Sequence, residues 1–376
     1  MKKSHILLGT AAIVAAAIGM HFVSLHHHLK AKAEGIQAGL EEWTEDNRDP
    51  SAALTIMAKV PQAFEDGDAS QAEKYMDEAQ AALNVPKEKR PKPKPAPGED
   101  ASDLYGNPHQ VEISGYDGQA MEPFISTDGK TLFFNSENDP GLNTDLFFAE
   151  RIGPDSFKFM GPLKGANSKV LDAAASMDKN RNIYFTTVRE YEETKKSIYR
   201  GTFDGQQVND LHPASGDINP KVRGAINMDV GISPDGNTLY ISRAAFKDGL
   251  PAPKESDLMV AHQKNFIFTM DPRSEAIMKN VNTKQLEYAP AISADGRELF
   301  FTRAQAPDEA LAGPQFRLMV ATRDSDTAPF GKPRVLSALT GMVEAPSIPL
   351  DESEIFFHKK VNGKWVLFRA VRKGRH

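Results

Sequence analysis

The chain has 376 residues, with 51 Asp and Glu against 45 Lys and Arg, and no cysteine. A net charge of −6 is mild and gives no reason to expect a nucleic-acid partner. Without cysteine there can be no disulfide, thiolate metal site, cysteine nucleophile or lipid-bearing cysteine.

In chain order, Lys2 and Lys3 precede an apolar stretch from Ile6 to Leu25. As a helix this stretch would span roughly 30 Å, about one hydrocarbon core. Residues 1–28 therefore read as a signal anchor that leaves the rest of the chain outside the cytoplasm. A cleaved signal peptide is the alternative, with small-residue sites at Ala15-Ala16-Ala17 or around Ala31 and Ala33. His26, His27 and His28 follow as a polar collar, and no second ligand cluster is present to make them a metal site.

Residues 34–84 are helical in composition and read as a short stalk. A helix over residues 50–65 precedes a second one, in which Ala72, Tyr75, Met76, Ala79, Ala82 and Leu83 share one face. Ser70, with Glu73 three residues on, is expected to form a capping box. The stretch "VPKEKRPKPKPAPGED" alternates Pro with Lys, which suits neither a helix nor a sheet interior. Residues 85–102 are thus expected to be a stiff spacer.

From residue 103 onward one pattern recurs. "PFISTDGKTLFFNS", "VGISPDGNTLYISR" and "PAISADGRELFFTR" are close copies, and "AAASMDKNRNIYFTT" and "PSIPLDESEIFFHK" are degraded ones. Their turn aspartates, Asp128, Asp178, Asp235, Asp295 and Asp351, are 50, 57, 60 and 56 residues apart. Asp-Gly between apolar runs signals a hairpin, and self-similarity at this period signals a repeat architecture. Each repeat reads as four strands, in the first case Phe124–Ser126, Thr131–Ser136, Asp145–Arg151 and about 159–164. Radially arranged four-stranded units make a β-propeller. After Asp351 there is chain for only two further strands, so the strand-like residues 109–115 are expected to supply the missing fourth one. The predicted fold is mainly β, a five-bladed propeller over residues 103–376 closed by an N-terminal strand, behind the anchor and the helical hairpin.

The repeat "P-x-I-S-x-D-G-x-x-L-F-F", followed by "D-L-F-F-A-E-R" or "D-L-M-V-A", resembles the TolB-type propeller repeats of exported bacterial proteins. The second copy departs by lacking the Gly, and the fifth by having Pro349 and Glu352 where Ser and Gly are expected. The resemblance implies an extracytoplasmic location, membrane-anchored or secreted, and an interaction platform in the cell envelope. No Gly-x-Ser-x-Gly elbow follows, so a peptidase-attached propeller is not expected.

Candidate site residues come from aligning the repeats on their turn aspartates. Just before the first strand stand Glu122, Asp172 and Asp229, then Ala289 and Ala345, with Glu287 and Glu344 shifted upstream by two and one residues. The column closing the second strand holds Ser136, Thr187, Arg243, Arg303 and Lys359. Both columns are expected at one mouth of the central channel, where long loops of the third and fourth blades also rise. Three readings compete. The acids could pair with neighbouring bases such as Arg243 beside Asp229, or the mouth could bind a protein, a peptide segment or a polar envelope ligand. They could also serve a glycoside hydrolase, in which carboxylates share acid and base roles. No catalytic residue is assigned, and a non-enzymatic platform is favoured. No cofactor or metal is expected, since His109, His212, His262 and His358 are scattered and "DPGLNTD" and "DGQQVND" lack a calcium-loop pattern.

Overall fold

The computed structural model describes residues 51–66, 68–84, 98–138, 143–220, 224–245, 255–304 and 316–374, together with Lys32, Gly35, Ile36, Gly39, Leu40, Trp43 and Pro253. The expected anchor over residues 1–28, most of the Pro-Lys spacer and the two long loops lie outside these. No helix among the described residues is long and apolar enough to cross a membrane. Contacts divide the chain into two compact units.

The first unit is helical. α1 (Ser51–Met57) and α2 (Val60–Glu65) replace the single helix expected over residues 50–65. Pro61 has no N–H to offer the Met57 carbonyl, so the helix stops and restarts. α3 (Ala69–Leu83) is capped by Asp68, whose carboxylate accepts the Gln71 N–H at 2.9 Å, and not by Ser70. A carboxylate there also complements the positive end of the helix dipole. The expected stripe is real, with Ala72, Met76, Ala79 and Leu83 buried among Ile36, Leu40, Trp43, Met57 and Val60.

The second unit is built from four-stranded repeats. β1 (Tyr105–Gln110) and β2 (Glu112–Ser114) precede the first repeat, β3 (Met121–Ile125), β4 (Thr131–Asn135), β5 (Leu146–Arg151) and β6 (Ser156–Pro162). The second is β7 (Asp172–Met177), β8 (Asn182–Thr187), β9 (Ile198–Phe203) and β10 (Val208–Pro213). β11 (Ser215–Asp217) leads into the third, β12 (Ala225–Ile232), β13 (Thr238–Ala245), β14 (Ser256–Lys264) and β15 (Ile267–Met270). The fourth is β16 (Leu286–Ile292), β17 (Glu298–Ala304), β18 (Phe316–Thr322) and β19 (Arg334–Val335). In the fifth, β20 (Val343–Ser347), β21 (Glu354–Val361) and β22 (Lys364–Arg372) are completed by β1, which pairs antiparallel with β22.

The stretch expected to pair with the last repeat, residues 109–115, is divided between two sheets. Only His109 and Gln110 join β22, and Tyr105 and Gly106 do so further upstream. The Val111 N–H still donates to the Leu367 carbonyl, at 2.8 Å, whereas the Glu112 N–H donates to Asp155, at 2.9 Å. β2 then runs parallel to β6 of the first repeat. Ten residues therefore stitch the last sheet to the first.

Strand alternation explains the paired aromatics. Successive strand residues point to opposite faces, so Phe133 packs in a cluster with Ile183, Phe185 and Tyr199 of the second repeat. Phe134 goes the other way, to a cluster with Phe356 and Leu367 of the fifth. Phe300 and Phe301 divide likewise, towards Phe357 and Tyr240 respectively. Each such ring, fully withdrawn from water, contributes roughly 1.5–3 kcal/mol.

Candidate functional site

Strand pairing resets the alignment made on the turn aspartates. In the first turn the Ser126 N–H donates to Thr131 O, but in the second it is Asp178 that donates, to Asn182 O. Asp178 therefore stands in the place of Ser126, its carboxylate accepting the Asn180 and Asn182 N–H groups at 2.8 and 2.9 Å. Because Asp178 matches Ser126 and not Asp128, the whole of β7 moves by two places relative to the sequence alignment, and the second turn is one residue shorter. Pairing of Ile125 with Leu132 then corresponds to pairing of Met177 with Ile183.

In the corrected register Glu122, Ala174, Asp229, Ala289 and Ala345 share one position in the first strand of each repeat. Four of them adopt positive φ, at 49° for Glu122, 53° for Ala174, 50° for Ala289 and 55° for Ala345. A register shift brackets the first, second and fifth of these positions. The left-handed residue is a bulge near the start of each of these strands. Its freed N–H is taken by the preceding repeat, where Asn135 Oδ1 accepts from Ala174 at 3.2 Å and Thr302 Oγ1 from Ala345 at 2.9 Å. His358 Nδ1 accepts from Glu122 at 3.0 Å. Ala289 instead donates to Asp229 Oδ2, at 3.2 Å.

Asp172 and Glu287 belong to a different position, two residues earlier, and both are ion-paired. Asp172, fully buried, meets Arg189 Nη2 at 2.6 Å and accepts the Ser168 hydroxyl at 2.7 Å. Glu287, also fully buried, meets Arg303 Nε at 2.7 Å and accepts the Thr283 hydroxyl at 2.7 Å. Arg303 goes on to the Val281 carbonyl at 2.6 Å, and Arg189 to that of Ala166. In the third repeat Asn227 replaces the acid. Arg243 donates to Asn227 Oδ1 at 3.0 Å and to the Ile218 carbonyl at 2.5 Å. Arg243 is therefore not the partner of Asp229, contrary to expectation. Lys359 lies with its ammonium 5.7 Å from the Phe368 ring centre. In the second, third and fourth repeats these groups are a duplicated fixture, an arginine pinning the chain segment that enters the repeat.

Glu122, Asp229 and Glu344 remain, and these three acids interact with one another. Glu122 Oε1 accepts the Asn138 amide at 2.9 Å, while its Oε2 is shut off from solvent without a hydrogen-bond partner. Glu344, 2% exposed, accepts the Tyr288 hydroxyl on Oε2, and its Oε1 has no hydrogen bond. That oxygen faces His358 Nε2 at 3.7 Å, too far for a hydrogen bond. Burial pushes the Glu122 carboxyl up to about 8, with the Asp229 charge adding to it and the Asn138 amide opposing. Burial likewise pushes Asp229 up to about 7, against the Ala289 N–H, with Glu344 reinforcing the rise. Sequence reasoning named all three acids but missed Tyr288, His358 and Asn138, which carry no repeat-level signal.

Glu122 and Asp229 line one end of a central cavity of about 60 Å³, whose other end is formed by Thr127, Pro234 and Leu350 beyond the strands. A space of this size holds a few waters and falls well short of the several hundred Å³ usual for drug-sized ligands. No group of three or more His, Asp or Glu among the described residues has metal-holding geometry. The Asp204 carboxylate in "DGQQVND" is occupied with the Gln206 and Gln207 N–H groups, as an ordinary turn.

No family model and no curated protein matches the sequence. Similar solved structures are of propeller type. TolB from Acinetobacter baumannii shares 12% identity over 69% of this chain, with a TM-score of 0.36. A family 117 glycoside hydrolase from Zobellia galactanivorans shares 11% over 73% of this chain and 92% of its own, with a TM-score of 0.48. A mannose phosphorylase from Leishmania mexicana shares 12% over 70% of this chain and 86% of its own, at 0.40. The chain spans 55% of the TolB chain. At these identities and TM-scores the likenesses assign this chain no role or substrate.

Proposed function

We propose that the protein is a non-enzymatic interaction platform of the cell envelope, a five-bladed propeller of TolB type closed by β1. In this reading it is held outside the cytoplasm by its N-terminal segment and takes a protein segment or polar ligand at the mouth where the first strands begin. The observation that carries the reading is the split among the acids. Asp172 and Glu287 are neutralised by arginine, whereas half-buried Glu122, with one oxygen shut off from solvent, and buried Asp229 and Glu344 have no cation beside them among the described residues. Uncompensated buried charge is costly, and a ligand that completes the group would account for its presence. The pairing of β1 with β22 and the apolar cluster shared by the first and fifth repeats support closure.

The glycoside-hydrolase alternative has one observation in its favour. Carboxyls raised to about 8 and 7 are protonated near neutrality, as a general acid must be. Against it, a cavity of about 60 Å³ leaves no room for a sugar ring beside the acids.

Photo-crosslinking residues placed at exposed Val170 and Lys284, on the segments entering two first strands, and at exposed Lys130 and Arg297, on the turns at their other ends, test the platform in cells. Adducts to one discrete partner from Val170 and Lys284 only are expected. Adducts from neither pair, or equally from both, would refute a mouth-binding platform.

A further inference from the structure

We infer that the Glu122–Asp229–Glu344 group is a receptor for a single primary ammonium, the head of a lysine side chain or a chain N-terminus. The inference deepens the platform reading and rests on it. Three observations converge. First, the group presents acceptors and no cation, with Glu122 Oε2 and Glu344 Oε1 buried and without hydrogen bonds. A native structure rarely leaves buried acceptors empty unless something fills them. Second, the cavity that Glu122 and Asp229 line, about 60 Å³, admits a small head group and excludes a bulky one. Third, the oxygens do not stand in metal-holding geometry. A calcium ion gathers six to eight oxygens at about 2.3–2.6 Å, whereas an ammonium has three donors, each reaching about 2.8 Å to a separate oxygen. Three acids on three different repeats, outside metal-holding geometry, suit the second cation.

The groups facing the site are Glu122 from β3, Asp229 from β12, Tyr288 from β16, Glu344 from β20 and His358 from β21. The His358 ring accepts the Glu122 N–H on Nδ1, so its Nε2 carries the proton and the ring adds no acceptor. An arriving ammonium must displace the protons held by Glu122 and Asp229. Affinity therefore rises with pH until these acids are ionised, by at most about tenfold per pH unit for each proton released.

The probe is methylammonium chloride, with tetramethylammonium chloride at equal ionic strength as the donor-free control and calcium chloride as the metal arm, all added to the full chain. At pH 8.5 methylammonium is expected to raise the melting temperature by about 2–4 °C over the control. The rise should fade at pH 6 and be lost in E122Q and E344Q. Should those variants melt too poorly to compare, calorimetry on the unaltered protein at pH 7.5 in two buffers decides, and proton release on methylammonium binding is expected. Nα-acetyl-lysine amide and glycinamide then show whether a side chain or a chain N-terminus fits, and binding of either supports the site. Equal responses to the two ammonium salts, a response retained in both variants, stabilisation by calcium alone, or binding without proton release would each overturn the inference. Ammonium binding without mouth-specific crosslinks would instead sink the platform and leave the site standing.

Discussion

At the scale of single residues, acids aligned in one sequence column turn out to have opposite energetic roles. The Glu122 carboxyl ionises near 8 in the folded chain against an ordinary 4.5, and Asp229 near 7 against 3.8. Between those values the unfolded chain has already released the proton that the folded chain retains, so stability falls as pH rises from about 4 to 8 and levels off above. E122Q removes that loss. It is expected to be more stable than the parent at pH 8.5, by roughly 1–3 kcal/mol, and nearly equal to it at pH 4. E287Q should do the reverse. It strips Arg303, which is mostly buried, of its carboxylate and is expected to cost roughly 2–4 kcal/mol. Denaturant melts of both variants at the two pH values check the pair. A destabilised E122Q at pH 8.5 would mean that its charge is compensated.

At the scale of elements, the sheets are joined by apolar layers and by hydrogen bonds from one repeat to the first strand of the next. The Thr302 hydroxyl accepts the Ala345 N–H at 2.9 Å, and the Ser176 and Ser347 hydroxyls accept the N–H groups of Ile232 and Ile125, both at 3.0 Å. T302V keeps the shape and leaves a buried N–H unpaired, so a loss of about 1–3 kcal/mol is expected; an unchanged denaturation midpoint would show the latch to be idle. The repeat was legible in the sequence because Ser-x-Asp-Gly and the paired aromatics are fixed by a turn and by two-sided burial. The latches were not, since a lone Ser, Thr, Asn or His at the end of a strand carries no pattern. Nor was the register of the second repeat, where Asp178 imitates the turn aspartate while occupying the serine's place. β1 was read too late in the chain because "YGNPHQ" has no alternation. Asn107 sits at φ 51° and Pro108 lacks an N–H, which breaks the pairing between Gly106 and His109.

At the scale of the molecule, β1 and β2 tie the last sheet to the first. Arg372 reinforces the last sheet, donating to both Glu298 oxygens, at 2.7 and 2.8 Å, and to Glu352 at 3.1 Å. Removing residues 1–97 leaves every strand of the second unit in place and is expected to preserve its melting temperature. Removing residues 1–111 exposes the outer edge of β22, and such edges invite aggregation. That truncation should melt lower and sediment as oligomers, and equal behaviour of the two would show that β1 is dispensable. The same stitch sets how the molecule bears a pull. Tyr105 lies opposite Arg372 and Gln110 opposite Phe368, so the chain enters at the end of the strand pair where β22 leaves. Tension between the N-terminal side and the C-terminus therefore opens the pair like a zip, one hydrogen bond at a time, whereas tension along the strands would load all of them together. The strand pair that ties the two sheets together is thus also the place where traction on the two ends would first tear them apart.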